Sequence, residues 1–419
     1  MPEIALRYTN EYEGYSSECY TDNGRDLAMD QWEKDFLKDI VKYDTNSDEK
    51  KNYLECSKEI ERRCKEAGLQ VEVFDSNHDG KPQPNVVATL DVGAKKTVLL
   101  CTHYDIVPAG EIDAWKYPPF DTTIKGDKIY GRGVTDNKGN VVACVAAAKE
   151  LIAKDTSKVN LKILISPNEE IGGVWGIDYL MNGPPKIRGD FALVVDSSPT
   201  YVSIGASGVI AGTMTIHGTQ GHAGYPFKFA NAIHLSIPFL QVMLDYIDIR
   251  RKVESEYPAP AGSPHQTLWG RFSMTVYEAG SKTNTIPGKA RISFDCRTIP
   301  EENVEDVAKN LAEFFERAKE ETGVEASLEF KTKHGGWGSN PENQFIKSFH
   351  TAANEVSEKE IPLSADLGGN DGGYFTSHDI PTACFGTIAD DSNFHGIDEW
   401  LSIKDYERVK NAIIHFAEM

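Results

Sequence analysis

The sequence predicts an α/β fold: a mixed sheet flanked by helices, interrupted by a smaller inserted α+β domain. Three observations carry this prediction. Over the first 200 residues, apolar strand-like segments alternate with helical ones, the pattern of a sheet with helices on both faces. From about Ser207 the order becomes β-α-β-β-α-β, typical of a ferredoxin-like domain. After Pro341 the alternation returns. We therefore expect residues 1–206 and 333–419 to form one domain, and 207–332 the insertion.

The individual elements follow from hydrophobic periodicity and from helix and turn signals. In the first segment we predict helices over 30–41, 49–67 and 138–154, and strands over 71–74, 85–90, 97–101, 161–165 and 191–195. In the inserted segment we predict strands over 209–217, 271–279, 289–297 and 326–331, and helices over 229–249 and 304–322. Residues 251–268 contain three closely spaced prolines and predict an exposed loop. The last segment predicts helices over 343–357 and 402–418 and a strand over 382–385.

Composition excludes several classes of function. The net charge of −20 argues against nucleic acid or an anionic membrane as a partner. We find no run of about 18 apolar residues and no signal peptide within Met1–Asp30, so we expect neither a membrane span nor secretion. The seven cysteines are scattered and form no Cys-x-x-Cys pair, which indicates free thiols in a reducing cytoplasm.

Two adjacent acids, Glu169 and Glu170, follow the predicted strand 161–165. Neighbouring carboxylates repel each other, so a compensating charge is expected near them. A cation bound by one would leave the other free to take a proton from water. Taken alone, such a pair is more often an ordinary helix start, where acids suit the helix dipole.

Similar polar groups follow the other predicted strands. They are His103 and Asp105 after 97–101, Asp196 after 191–195, His395 after 382–385, and Asp136 in the glycine-rich segment before helix 138–154. In open α/β sheets the carboxyl ends of the strands form the ligand-binding edge. Histidines and carboxylates without thiolates suit zinc, cobalt or manganese. The number of groups predicts two divalent ions that share one carboxylate.

The chain resembles the di-zinc M20 family of peptidases and deacylases, which includes biosynthetic deacylases, aminoacylases, carnosinase-type dipeptidases and carboxypeptidases. The matching motifs occur in family order and span nearly the whole chain after about residue 30. They lie at residues 103–108 (His-Tyr-Asp-Ile-Val-Pro), 131–139 (Gly-Arg-Gly-Val-Thr-Asp-Asn-Lys-Gly), 168–173 (Asn-Glu-Glu-Ile-Gly-Gly), 221–224 (Gly-His-Ala-Gly), 284–287 (Asn-Thr-Ile-Pro), 295–297 (Asp-Cys-Arg) and 395–399 (His-Gly-Ile-Asp-Glu).

The resemblance implies a role for each residue of the predicted metal centre. Asp136 would bridge two ions, most simply zinc, with cobalt or manganese as alternatives. His103 and Asp196 would complete one site, and Glu170 and His395 the other. Asp105 would orient His103, and Glu169 would be the general base. The resemblance also implies a cis peptide bond between Asp136 and Asn137.

The resemblance implies a second set of residues that bind substrate. His222, on the inserted lid and dimerisation domain, would reach the active site of a partner subunit and stabilise an oxyanion. Arg297 would bind a substrate carboxylate, with Asn284 beside it. Gly369 would line the pocket in a looser match to the family's glycine loop. A homodimer through the inserted domain is therefore expected.

The predicted activity is metal-dependent hydrolysis of an amide bond in an N-acyl amino acid or a short peptide with a free carboxylate. Two substrate classes stay open at this point: a biosynthetic deacetylase or desuccinylase, and a dipeptidase or carboxypeptidase. The resemblance favours the second slightly, because Asp at position 196 is more typical of aminoacylases and peptidases. A catalytically silent binding homologue is a further alternative, although no predicted ligand is missing. No motif of a serine hydrolase or of a nucleotide-binding P-loop is present.

Overall fold

The computed structural model describes residues 29–419. Residues 1–28 of the predicted first segment lie outside the described residues. They include Cys19 and nearly all of the stretch in which no signal peptide was found. The helices are α1 (Gln31–Val41), α2 (Tyr53–Glu66), α3 (Lys138–Lys154), α4 (Ile177–Asn182), α5 (Ala232–Arg251), α6 (Val304–Thr322), α7 (Gln344–Glu355), α8 (Gly372–Thr376) and α9 (Ile403–Glu418). The strands are β1 (Gln70–Asp75), β2 (Pro84–Leu90), β3 (Thr97–His103), β4 (Thr123–Lys125), β5 (Lys128–Tyr130), β6 (Asn160–Ser166), β7 (Phe191–Val194), β8 (Val202–Ala206), β9 (Gly208–His217), β10 (Gly221–His222), β11 (Glu254–Pro258), β12 (Thr267–Trp269), β13 (Arg271–Ala279), β14 (Thr285–Ile286), β15 (Lys289–Thr298), β16 (Ala326–His334), β17 (Trp337–Gly338), β18 (Leu363–Asp366), β19 (Thr382–Cys384) and β20 (Trp400–Ser402).

A large mixed sheet forms the centre of the α/β domain. Its strands run in the order β1-β2-β6-β3-β7-β19-β8-β17, with β18 beside β8. Strands β6, β3, β7 and β19 are parallel neighbours, and β1 and β2 extend the sheet in antiparallel fashion. Strands β3, β6 and β7 are buried almost throughout and have apolar centres, as expected of parallel strands covered on both faces. Helices cover the sheet, so the predicted α/β architecture is confirmed.

The helices begin and end where local chemistry favours it. Asp30 and Glu33 form a capping box at the start of α1, in which each side chain accepts a backbone N–H of the other. Asn303 caps α6 by accepting the N–H groups of Glu305 and Asp306. Helix α3 is rich in alanine and valine and is buried over most of its length between the sheet and α9. Its small side chains allow this close packing.

The inserted segment has the predicted β-α-β-β-α-β order. Its antiparallel sheet runs β13-β15-β9-β16, and α5 and α6 pack on one face of it. Phe239, Phe294 and Phe315 lie in a separate apolar core, distinct from the core of the large sheet. The ferredoxin-like insertion is therefore confirmed, whereas its boundaries at residues 207 and 332 stay predictions.

One expectation is wrong. The stretch 251–268 is not simply a loop, because β11 and β12 pair within it as an antiparallel hairpin and its prolines are confined to the end and tip of that hairpin. Helix α5 is long and apolar enough to cross a membrane by length and average composition alone, although it contains no uninterrupted run of about 18 apolar residues. Because polar residues such as Asp245 interrupt the apolar residues of α5, this helix is recognised only by its average hydropathy. One face of α5 packs in the inserted core, while Ile237 is 63% exposed.

Candidate metal centre and active site

The large sheet brings the predicted ligands to one edge. His103 is the last residue of β3, Glu169 and Glu170 form a 3-10 turn after β6, and Asp196 follows β7. Because β6, β3 and β7 are parallel neighbours, their carboxyl ends place these side chains together. A small sheet supplies the remaining residues. In this small sheet, β20 pairs with β5. Because the His395 loop precedes β20 and the Asp136 turn follows β5, this pairing brings the loop close to the turn.

Asp136 lies between two histidines. Its Oδ1 is 3.2 Å from His103 Nε2, and its Oδ2 is 2.9 Å from His395 Nε2. Asp196 Oδ2 lies 3.6 Å from His103 Nε2, and Glu170 Oε2 lies 3.2 Å from His395 Nε2. The structure thus forms two groups of three potential ligands, each with its atoms within 4.8 Å, and Asp136 belongs to both.

The side chains fit divalent cations. His103 Nε2 is buried and has no hydrogen-bond partner among the described residues, although it faces carboxylates. Burial works to lower the pKa of His103, but the adjacent carboxylates of Asp105, Asp136 and Asp196 raise that pKa well above its usual value. The donor set is two imidazoles and three carboxylates, which suits zinc, cobalt or manganese. A cation here would give the orphaned nitrogen its missing partner.

Asp105 connects the histidine to the two adjacent acids. Its Oδ1 lies 3.3 Å from His103 Nδ1, the nitrogen that faces away from the ligand group. The same carboxylate accepts the backbone N–H groups of Glu169 and Glu170, each at 3.2 Å. Asp105 is fully buried, so these contacts are shielded from water. Its position therefore sets both the orientation of His103 and the path of the Glu169–Glu170 turn.

Glu169 and Glu170 differ in their surroundings. Glu170 belongs to one of the ligand groups, and burial together with Asp136 raises its pKa to about 7. Glu169 belongs to neither group, and its Oε2 is 3.9 Å from His103 Nε2. Burial, followed by the nearby charges of Asp196 and Asp371, raises the pKa of Glu169 well above its usual value. The two acids therefore lie in different surroundings, while the roles predicted for them stay predictions.

The backbone around Asp136 is held in place by Glu399 and Asn137, two residues to which the sequence analysis gave no role. Glu399 accepts the backbone N–H groups of Gly133 and Thr135, at 2.9 Å and 3.0 Å. The peptide bond between Asp136 and Asn137 is cis, as the resemblance implied. The Asn137 amide donates to Val195 O at 3.0 Å and also to the Asp196 carboxylate. Glu399 lies four residues after His395, at the end of a motif that resembles the family. This motif was the signal in the sequence from which a role for Glu399 could have been predicted.

The ligand groups open into a cleft of about 1240 Å³ lined by residues of both domains. Of the predicted substrate-binding residues, Arg297 and Gly369 line this cleft together with Glu169. Arg297 makes a bidentate pair with Asp295, at 2.8 Å and 3.0 Å. Asp371, another cleft residue, lies two positions after Gly369 and was given no role in the sequence analysis. It packs against Gly173, whose φ of +69° favours glycine and where a Cβ would come within 2.5 Å of Asp371 Oδ1.

His222 and Asn284 do not line the cleft of their own chain. They lie next to each other on the inserted domain, where Ala223 N donates to Asn284 O at 3.0 Å and His222 pairs with Thr285. Both side chains are exposed. The structure therefore does not bring them to the ligand groups within one chain, and their predicted roles stay predictions.

Comparisons with known proteins agree with this geometry. The model of peptidase family M20/M25/M40 matches residues 99–419. The chain is 28% identical over 319 residues to succinyl-diaminopimelate desuccinylase 1 of Alteromonas mediterranea, covering 72% of this chain and 76% of the relative. Its fold is similar to an M20 family metallo-carboxypeptidase from Sulfolobus solfataricus (TM-score 0.79, 21% identity, 93% and 99% of the two chains). It is also similar to human carnosine dipeptidase 1 (TM-score 0.74, 19% identity, 92% and 97%).

The family match covers well over half of the chain, and it includes every predicted metal ligand. The protein is an enzyme, a hydrolase of the metallopeptidase and amidohydrolase type, and the chain belongs to peptidase family M20/M25/M40.

Proposed function

We propose that the protein is a dinuclear metal-dependent hydrolase that cleaves amide bonds in N-acyl amino acids or short peptides with a free carboxylate. The observation that supports this most directly is the position of Asp136, which has one carboxylate oxygen toward His103 and the other toward His395. Only a carboxylate so placed can serve two cations at once. Zinc is the proposed metal, with cobalt and manganese as alternatives.

The residues of the proposed metal centre have different roles, which are cation binding, proton transfer and positioning. His103 and Asp196 would hold one cation, Glu170 and His395 the other, and Asp136 both. When bound, the cations polarise the substrate carbonyl and make water easier to deprotonate. Glu169 takes the proton from the attacking water and later delivers it to the leaving amine, for which its position outside both ligand groups suits it. Asp105 keeps His103 and the Glu169–Glu170 turn in place.

Arg297 is the proposed binding residue for the substrate carboxylate, and Gly369 lines the same pocket. The pair with Asp295 holds the guanidinium through Nε and one terminal nitrogen, which leaves N–H groups of the other terminal nitrogen for a ligand. Deacylase and dipeptidase or carboxypeptidase activities both need such a carboxylate contact. The deacylase is supported by the similarity to a desuccinylase, and the peptidase by the Asp at position 196.

A homodimer through the inserted domain is part of the proposal. His222 is exposed and does not line its own cleft, as expected of a residue that completes the site of a partner, where Asn284 would accompany it. Helix α5 also exposes Ile237, Leu244 and Ile249, which are 63%, 42% and 39% exposed. An apolar helix face of this kind is better explained by a second subunit than by a membrane.

We also propose a cytoplasmic location. The described cysteines are free and buried (Cys56, Cys64, Cys101, Cys144, Cys296 and Cys384), as expected in a reducing compartment.

A substrate panel with controlled metal content tests the proposal. The protein is stripped with a chelator, dialysed, and reloaded with zinc, cobalt or manganese, and the bound metal is counted by elemental analysis. N-acetyl and N-succinyl amino acids are then compared with dipeptides that carry a free carboxylate. We expect about two ions per chain and metal-dependent release of the amine product. A single ion per chain, or hydrolysis that survives complete metal removal, would contradict the proposal.

A further inference from the structure

Asp371 is an acid in the cleft that the proposed mechanism does not use. It precedes α8, is only 4% exposed and lines the same cleft as Glu169. Within residues 29–419, its carboxylate makes no hydrogen bond and no ion pair, and it does not cap the helix that it precedes. A buried carboxylate without a partner is costly, so a native structure that retains one is expected to supply a cation or a donor.

Within the described part of the chain, no cationic side chain forms an ion pair with Asp371, His334 included. Two divalent ions carry four positive charges, which would balance the four carboxylates of the proposed centre (Asp136, Glu169, Glu170 and Asp196). The negative charge of Asp371 would then have no counter-charge. Among the described cleft residues, the basic side chains are Arg297, His334 and His395. Arg297 is paired with Asp295, and His395 faces Asp136 and Glu170. A second acid, Asp178, also lines the cleft and adds to the negative charge around Asp371.

The position of Asp371 limits which part of a substrate it can meet. Its Oδ1 faces the Cα of Gly173, in the loop that follows the Glu169–Glu170 turn. Its charge is also felt by Glu169. In an unblocked dipeptide, the amino group is attached to the carbon next to the scissile carbonyl. An acid that binds this group must therefore lie near the general base, and Asp371 shares the cleft with Glu169 and contacts the loop that follows the Glu169–Glu170 turn.

We propose that Asp371 binds the free amino group of the substrate, so that the enzyme acts on unblocked short peptides rather than on N-acyl amino acids. The inference rests on the proposed function and narrows its substrate class. A primary ammonium brings a positive charge and three donors to Asp371. An acetyl group offers neither, and a succinyl group adds a carboxylate that Asp371 and Asp178 would repel.

The test compares peptides that differ only in the amino group. Each dipeptide of a panel, such as alanyl-leucine, is paired with its desamino analogue, here propanoyl-leucine, and both are assayed with the metal-loaded protein. We expect the wild-type kcat/KM to favour the dipeptide by roughly 10- to 100-fold, the usual range for a charged hydrogen bond. In Asp371→Asn, kcat/KM for the dipeptide should fall by a similar factor, mainly through KM, while that for the analogue is unchanged. Asp379→Asn, an exposed acid outside the cleft, should behave as wild type.

The outcomes separate this inference from the proposed function. Equal use of each dipeptide and its analogue by the wild type, or an equal loss on both in Asp371→Asn, would refute the role of Asp371 and leave amide hydrolysis standing. Failure of the metal-loaded wild type to cleave any peptide or N-acyl amino acid would refute the proposed function itself. The wild-type comparison needs no variant, so it can refute the inference even if Asp371→Asn does not fold.

Discussion

The carboxylate of Glu399 accepts the backbone N–H of Asp136, at 3.3 Å, and so holds the proposed bridging ligand from behind. The same side chain is paired with Arg132 at 2.6 Å, and both side chains are almost completely buried. A carboxylate here satisfies several donors at once, with no water to replace it. The metal centre therefore depends on an acid that need not touch a metal.

Replacing Glu399 by Gln should destabilise the protein strongly. The amide puts an NH₂ group where backbone donors already point and leaves the Arg132 charge buried without its counterion. We expect a loss of about 3–5 kcal/mol in the free energy of unfolding, the usual cost of breaking a buried ion pair. Urea unfolding of the metal-free protein measures it. Glu358→Gln is the control, because its pair with Lys404 is exposed and should contribute less than about 1 kcal/mol. Similar shifts for both variants would contradict this account.

The two adjacent acids should fail in different ways. Glu169→Gln should retain both metals and lower kcat by roughly two to four orders of magnitude, because it removes only the proton carrier. Glu170→Gln should instead lose metal, since it removes a ligand. Elemental analysis and steady-state kinetics on the two purified variants distinguish these results. Near-normal turnover by Glu169→Gln would rule out the proposed base.

Metal binding should strengthen as the pH rises. Hydrogen bonds with Asp136 and Glu170 raise the pKa of His395 from 6.5 to about 10, and burial raises that of Glu170 from 4.5 to about 7. Both folded pKa values are raised, so the stability that these groups contribute to the metal-free protein is present at low pH. It is lost from about pH 4.5 to 7 for Glu170 and from about 6.5 to 10 for His395. Cations bind the deprotonated forms and compete less with protons at higher pH.

The measurable consequence of this proton competition is a Tm difference. The gap in Tm between metal-loaded and chelator-treated protein should widen from pH 6 to pH 9. A gap that stays constant or narrows over this range would show that these groups do not release protons when the metal binds.

The proposed sharing of sites between subunits predicts rescue by mixing. His222→Ala and Glu169→Gln should each be nearly inactive as homodimers. In a mixed dimer, one site combines the wild-type Glu169 of one chain with the wild-type His222 of the other. Statistical exchange should therefore restore about a quarter of the wild-type activity. The mixture is assayed after co-expression, with light scattering to establish the dimer. Activity no higher than the average of the two variants would mean that His222 does not act across subunits.

Much of the fold was predictable, because long buried elements have strong patterns. Alternating strands and helices indicated the large sheet, and the β-α-β-β-α-β order indicated the insertion. Short elements such as β5 and β20 were missed, although they bring the His395 loop to Asp136. Strands of three residues have too little periodicity to stand out, and their pairing partner lies far away in the chain. The hairpin of β11 and β12 was mistaken for a loop because its prolines masked the strand signal.

The sequence alone predicted which residues meet at the proposed site, since His103, Asp105, Glu169, Asp196 and His395 each follow a predicted strand, and parallel strands end at a common edge. Only the tertiary structure decided how these side chains share their contacts. It placed Asp136 between the two histidines, Glu399 behind Asp136, and Asp371 in the cleft without a side-chain partner among residues 29–419. Such relationships depend on distances between residues far apart in the chain, which periodicity within a segment does not encode.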